Sequence, residues 1–420
     1  MVRQRKEIIL GAMTLAIVIM FAGATSLAQS TPSARSLGMA GSYLLESSNC
    51  EAATANPANL ALPGDKHFTL KLVSVSGRVV NNAFSLADYN KYNGAYLTES
   101  DKQDILAKIP GSGLDLDFNG SASALSFSAG SVALTTELIG GGKGTLPKDP
   151  IELALMGNKI GQPVNADGSG GQGWSAMAVG ISYGRKIMAV HGWDLAAGVS
   201  IKYLQGLAYF SAEGLSAQAV TLTTGFSGSG GMTTVQSLGG RGYAFDLGLT
   251  AQGEHAQYGL VFKNLLASLK WDHKLEKTVY TFHFDNITAE NSGEDSLWSS
   301  EDHKVAITSL QSRPPLEIQL GASRRFGSLL TAASVTQGFE KSAFVSKNPR
   351  FACGVEYQPI GLFTLRSGIA VGGNDDLSAG FGLGLGLGPL HLDLAYASAS
   401  RLVPWGGKGG QFAVSTILEF

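Results

Sequence analysis

The chain has 420 residues, 44% of them hydrophobic and only 15% charged, with 55 Gly and a formal net charge of -2. That length fits two soluble domains or one large β-barrel, and the absence of a basic surplus argues against a nucleic-acid partner. Beyond the N-terminal residues no run of roughly eighteen apolar residues occurs, which excludes a helical membrane protein but not a barrel, where only alternate residues face lipid. Cys50 and Cys353 stand far apart, outside any Cys-x-x-Cys or metal-ligand spacing, and read as unpaired small residues.

In chain order, Arg3, Arg5 and Lys6 precede the apolar run Ile8 to Ala24 and then Ser26-Leu27-Ala28. A positive n-region, an h-region and a small-x-small site make residues 1–28 an expected signal peptide, cleaved after Ala28. The slightly long h-region leaves an uncleaved anchor as the alternative. Gln29 rather than Cys stands directly after Ala28, which argues against a lipoprotein. Cleavage would leave 28 basic and 32 acidic residues.

The next stretch reads Ser33-Ala34-Arg35-Ser36-Leu37-Gly38-Met39-Ala40-Gly41-Ser42-Tyr43, followed by Ala52-Ala53-Thr54-Ala55-Asn56-Pro57-Ala58-Asn59-Leu60. It resembles the N-terminal signature of the FadL superfamily of outer-membrane barrels, which includes long-chain fatty acid transporters and PorV-type secretion components. Gly38, Met39, Gly41, Asn56, Pro57, Ala58 and Leu60 match that signature, whereas Ala40, Ser42 and Asn59 depart from it. Ser48 and Asn49 stand where the family often has an acidic pair. The resemblance implies an inward-folded hatch over residues 29–65, with Gly38, Met39, Gly41, Asn56, Pro57 and Ala58 as its binding or gating residues. It further implies a barrel of about 14 strands over 66–420, within the strand range of such barrels. Physically, glycine permits close backbone approach and Asn-Pro restricts the chain to a turn, as a compact plug requires. A glycine-punctuated periplasmic turn without a gating role accounts for the same residues.

From His67 the side chains alternate, with Phe68, Leu70 and Leu72 against Thr69 and Lys71. Ser100 with Gln103 predicts a capping box and a short helix to about Ile109, stopped by Pro110-Gly111. Leu125 and Phe127, then Val132 to Leu138, predict a hairpin about Gly130, and Asp149-Pro150 opens a second short helix ending at Gly157. Both helices are too short to span a bilayer and are expected over the barrel mouth or in the lumen. Gly140 to Thr145 lacks the spacing of a P-loop and reads as a flexible loop.

Two-faced strands then follow the loop 165–173. Leu195, Val199, Ile201 and Tyr203 oppose Ala196, Gly198, Ser200 and Lys202, and Tyr243, Phe245 and Leu247 oppose Ala244, Asp246 and Gly248. The same pattern recurs around Tyr258, Leu320, Phe351, Leu365 and Leu394, and finally along Phe412, Val414, Thr416, Leu418 and Phe420. Aromatics fall at the ends of the apolar rows (Tyr183, Tyr203, Tyr243, Phe262, Tyr357, Tyr396, Phe420), as in interfacial girdles. Apart from Thr278 to Phe284, the stretch Trp271 to Lys304 is largely polar and reads as a long extracellular excursion. The fold expected is therefore all-β: a transmembrane, antiparallel, up-and-down β-barrel with an N-terminal hatch and a few short helices.

Gly382-Leu-Gly-Leu-Gly-Leu-Gly388 alternates strictly and lacks the helix and acidic residue of a dinucleotide loop. It reads as a bare lumen wall that lets a plug or ligand approach the backbone. The seven His show no paired-ligand spacing, so no metal or cofactor is expected. Lys202, Asp246, Glu317, Glu356, Arg366 and Asp393 fall on the inward face, because Arg or Lys facing lipid at the midplane costs about 2–4 kcal/mol. Glu356 and Arg366 flank a short Gln-Pro-Ile-Gly turn and could pair across strands, with a structural or a permeation role.

By resemblance the expected function is non-enzymatic passive uptake of a hydrophobic small molecule through the hatch-gated barrel. The alternatives are a PorV-like component of protein secretion that handles secreted cargo, and a structural or soluble periplasmic β protein. The other implied partners are outer-membrane lipid and the barrel-insertion machinery, with Phe420 as the assembly signal that the machinery reads.

Overall fold

The structure is a computed structural model that describes residues 32–45, 47, 49–62, 68–288, 290, 297–340 and 346–420. The expected signal peptide, 1–28, lies outside the described residues. Two short helices, α1 (Ala34–Gly38) and α2 (Asn49–Ala55), and a 3-10 turn, Pro57–Ala61, come first. β1 (Phe68–Asn81) leads to α3 (Leu86–Tyr92) and α4 (Glu99–Lys108), then β2 (Leu114–Ala129), β3 (Val132–Leu146) and α5 (Lys148–Met156). There follow β4 (Pro163–Asn165), β5 (Gly170–Val190), β6 (Trp193–Leu222), β7 (Gly225–Ser237), β8 (Gly240–Gln252) and β9 (Ala256–Trp271). β10 (Glu276–Ile287), β11 (Trp298–Val305) and β12 (Leu310–Ser312) precede β13 (Glu317–Phe326), β14 (Leu329–Gly338) and β15 (Arg350–Ile360). β16 (Phe363–Gly372), β17 (Leu377–Leu387), β18 (Leu390–Ala399) and β19 (Gly409–Glu419) complete the sheet.

β1 to β3, β5, β6, β8, β9 and β13 to β19 close into a 14-strand antiparallel barrel. The last strand seals it: β19 pairs with β1 from Thr69 opposite Glu419 to Val80 opposite Gly409. At the seam the Phe420 amide donates to the Phe68 carbonyl at 2.9 Å and the Phe68 amide to the Phe420 carbonyl at 3.3 Å. One end of the barrel carries tight links such as 130–131, 191–192 and 388–389, and the other carries the long connections with α3, α4 and α5. We call these the turn end and the loop end. Short turns on one side and long loops on the other are the usual asymmetry of membrane barrels.

The two-residue alternation decides which side chains face out. Ile201, Phe351 and Phe412 are exposed on the outer face, whereas their neighbours Ser200, Ala352 and Ala413 are buried toward the lumen. A soluble sandwich would bury such an apolar row against a second sheet. Among the described residues nothing covers it, and lipid is the medium that a continuous apolar belt fits. No helix among the described residues is long and apolar enough to cross a membrane.

Four regions differ from the sequence expectation. The capping box of α4 is built by Thr98 and Asp101 rather than Ser100 and Gln103; Thr98 accepts from the Asp101 amide and Asp101 from the Thr98 amide, both at 3.2 Å. This register puts Glu99 and Asp101 in the first turn, where the helix dipole favours acids. α3 was not anticipated, although Ser85 and Asp88 cap it in the same reciprocal way. Gly140 to Thr145 is no loop, because β2 and β5 hold this part of β3 from both sides. The polar stretch Trp271 to Lys304 folds largely as β10 and β11.

Those two strands belong to a fork in the wall. β6 pairs with β8 from Asp194 to Gly206, and beyond Tyr209 it pairs with β7 instead. β7, β10 and β11 thereby form a sheet that rises past the barrel at the loop end. A small aromatic core holds it, with Phe284 against Phe226 at 5.1 Å and against Trp298 at 5.2 Å between ring centroids.

Candidate functional site

The N-terminal segment lies inside the barrel and crosses it. α1 packs against β16 to β19, α2 against β1 to β3, and the 3-10 turn against β5, β6 and β8. The wall is shaped for this crossing. A Cβ placed on Gly38 would sit 3.0 Å from the Gly382 Cα, and one on Gly382 would sit 3.1 Å from the Gly38 Cα. Glycine on both sides is what lets these backbones touch, as the Gly-Leu alternation of β17 foretold. On the opposite wall, a side chain at Gly248 would collide with the Asn56 carboxamide oxygen.

The first end of the insert is held by charge. Ser33 caps α1 by accepting from the Ser36 amide at 3.3 Å, which starts the helix and sets Arg35 on its wall-facing turn. Arg35 Nε donates to Asp393 at 3.0 Å and lies 4.0 Å from Glu51, while its Nη2 is 3.7 Å from Glu419. Asp393 also accepts from Arg366 Nη1 at 2.6 Å, and Arg366 Nε donates to Glu356 at 2.7 Å. The result is a ladder, Glu356–Arg366–Asp393–Arg35, running from the wall into the insert with every member nearly or fully buried. Arg350 Nη1 adds a bond to the Ala40 carbonyl at 2.8 Å.

The second end is held by neutral groups. Asn56 caps the 3-10 turn by accepting from the Ala58 amide at 3.1 Å, and its Nδ2 donates to Thr250 at 2.7 Å and to the Leu249 carbonyl at 3.3 Å. Pro57 sits at the first helical position, where a missing N–H costs nothing. Asn59 ties the insert to itself, its Nδ2 reaching the carbonyls of Leu45 at 2.8 Å and Ser47 at 3.0 Å. Its Oδ1 accepts from Thr250 at 2.8 Å and Gln257 at 3.3 Å.

Above the insert, toward the loop end, lies a chamber of about 220 Å³. Its floor includes Leu37, Ala40, Tyr43 and Leu44; its wall includes Arg78, Asn119, Arg350, Asp375 and Gln411. Arg78 is bound by Asp375 and, at 3.4 Å, by Asp117. Among the described residues, no group of three or more His, Cys, Asp or Glu is placed to hold a metal ion.

The residues singled out from sequence divide as follows. Gly38, Met39 and Gly41 lie in or just after α1, with Met39 fully buried and Gly41 at φ +86° in contact with Arg350. Asn56, Pro57 and Ala58 form the seat on the β6–β8 wall. Glu356, Arg366 and Asp393 come together in the ladder. Lys202 and Asp246 pair with each other on another sector of the wall. Glu317 stands opposite Lys263 and accepts from Gln319. Phe420 is exposed at the seam, its ring 6.2 Å from that of Phe68. Arg35, Glu51, Arg78, Asn119 and Arg350 were not singled out. Strict extension of the β1 alternation would have put Arg78 on the outer row with Phe68, Leu70 and Leu72; a bulge between Lys71 and Val73 shifts the phase and turns it inward, and no local pattern marks Arg35 as the partner of Asp393.

Residues 57–230 match DUF5723, a family of unknown function. No curated protein matches the chain. Among solved structures, a deletion mutant of the TodX monoaromatic hydrocarbon channel aligns with TM-score 0.54 and 13% identity, over 93% of this chain and 99% of that one. The Pseudomonas putida toluene transporter TodX aligns with TM-score 0.51 and 13% identity, over 93% of this chain and 98% of the transporter. A FadL homologue of Pseudomonas aeruginosa aligns with TM-score 0.50 and 14% identity, over 96% of this chain and 100% of the homologue. The chain has the FadL-like barrel fold expected from its N-terminal signature.

Proposed function

We propose that the protein is an outer-membrane channel through which a hydrophobic small molecule passes passively, governed by the N-terminal hatch. The observation that carries this reading is the insert itself, which crosses the lumen and is bonded to opposite walls at its two ends. A barrel obstructed in this way conducts only when the obstruction shifts. The structural neighbours named as toluene and monoaromatic hydrocarbon channels support the same chemistry. The work is binding and release, without a covalent step. In this reading residues 1–28 direct export, 29–65 form the hatch, 66–420 form the barrel, and Phe420 is read by the insertion machinery.

The test deletes Thr31 to Leu60 and compares uptake of a labelled hydrophobe with the profile of secreted proteins. Altered uptake with an unchanged secretome is expected. Unchanged uptake with an altered secretome would reject the channel in favour of a PorV-like role. Separately, Phe420→Asp is expected to abolish the heat-modifiable barrel on gels, and a normal mobility shift would remove the assembly role.

A further inference from the structure

We propose that the chamber above the insert binds a neutral polar head, an amide or hydroxyl bearing both donor and acceptor, on an otherwise apolar ligand. The inference rests on the channel reading and names the substrate class more narrowly. Asn119, Arg78 and Gln411 are side by side in register on three adjacent strands, β2, β1 and β19, and all three line the chamber. Asn119 is 4% exposed, yet among the described residues neither its carboxamide oxygen nor its nitrogen has a hydrogen-bond partner, and the Gln411 Nε2 is unpartnered as well. A buried carboxamide left unpaired is costly, and an apolar residue of similar shape would avoid that cost. Two such amides flanking one arginine, beside a cavity, form a row of unspent donors and acceptors.

The charges of the lining do not select an ion. Arg78, Lys263 and Arg350 are balanced by Glu51, Glu317 and Asp375. Most of these are already engaged: Arg78 with Asp117 and Asp375, Arg350 with the Ala40 carbonyl, and Glu317 with Gln319. Glu51 lies 4.0 Å from Arg35 with neither carboxylate oxygen hydrogen-bonded among the described residues, and offers a further acceptor to a donor on the ligand. An anion would compete with carboxylates for Arg78, whereas a neutral group needs only the free amides. On the opposite side Leu37, Ala40 and Leu44 of the insert supply apolar contacts, interspersed with Ser33, Ser36, Ser47 and Thr54. A ligand that is polar at one end and apolar at the other satisfies both surfaces.

The experiment uses the full-length protein purified in detergent, with protein-free micelles subtracted, and measures saturable binding of labelled toluene, benzamide and benzoate. Benzamide is expected to bind at least about ten-fold tighter than either analogue. Asn119→Leu, and independently Gln411→Leu, should weaken benzamide about ten-fold and leave toluene within two-fold, in protein that still shows the barrel's heat-modifiable mobility. Equal binding of the three probes, a preference for benzoate, or no saturable binding at all would overturn the proposal. So would a loss from Asn119→Leu shared equally by benzamide and toluene. Uptake of the labelled hydrophobe by the hatch deletion decides the channel reading on its own, so the two ideas can fail separately.

Discussion

The two ends of the insert are fastened by opposite chemistries. At the β16–β19 wall the fastening is ionic: Arg35 completes a ladder with Asp393, Arg366 and Glu356. At the β5–β9 wall it is neutral: Asn56, Asn59, Thr250 and Gln257 exchange hydrogen bonds, and glycine lets the turn sit on the wall. The difference matters for release. A buried ion pair holds hard only while every charge keeps its partner, because removing one strands the others in a poorly solvated place. A neutral network loosens by degrees, one bond at a time. The insert therefore has one end that is fixed until its charges are disturbed and one end that can yield.

The largest effect is expected from Arg366→Met, which removes the central cation and leaves Glu356 without its partner and Asp393 with only Arg35. Unfolding should become easier by about 3–5 kcal/mol, read as a lower urea midpoint for the mobility-shifted barrel. An unchanged midpoint would mean that the ladder contributes nothing net. Asn59→Ala comes next, at about 1–3 kcal/mol, because it abandons several buried carbonyls and hydroxyls together. Its signature is faster protease cleavage within 49–62 than within 34–45 of the folded barrel, and uniform cleavage would erase the contrast between the ends.

Gly248→Leu should cost about 1–3 kcal/mol by overpacking, displacing Asn56 while Arg35 stays in place. Hydrogen exchange that rises equally at α1 and at the 3-10 turn would show that the insert moves only as a unit. The smallest effect concerns an ion pair outside the membrane. Burial works against ionisation of Asp88, but hydrogen bonds from Lys108 and from the Ser85 hydroxyl and amide outweigh it and hold the carboxyl down at about 2, below the ordinary 3.8. A depressed carboxyl stabilises above its unfolded value, so the α3–α4 interlock is complete above about pH 4 and is lost as pH falls through about 2. Asp88→Asn should mimic that loss locally, raising exchange in α3 at neutral pH and leaving the insert unaffected.

Much of the barrel was legible because its signal is local. Facing in or out is fixed by a half-turn per residue, so Ser200 and Ile201 reveal their sides without knowledge of their neighbours. The helix ending at Gly157 and the hairpin about Gly130 were readable for the same reason, from short-range turn chemistry. Where two local signals competed, as with the caps at Thr98 and Ser100, the reading chose the wrong one. The glycine-rich 140–145 segment misled because flexibility in isolation says nothing about strands that pair on both sides.

Within the site, Glu356 and Arg366 were found together because a short turn makes them cross-strand neighbours. Asp393 was placed inside but not joined to them, and Arg35 passed unremarked, since it meets Asp393 across 358 positions of chain. The sequence alone determined that alternating strands expose an apolar belt and keep charge inward, and its N-terminal signature pointed to an inserted segment. Only the tertiary structure decided that β19 closes on β1, that β6 forks at Gly206, and that the insert is ionic at one end and neutral at the other. Alternation is a property of each strand's own geometry, whereas closure, forking and the partners of a buried charge depend on which distant segments the fold brings within a few ångströms.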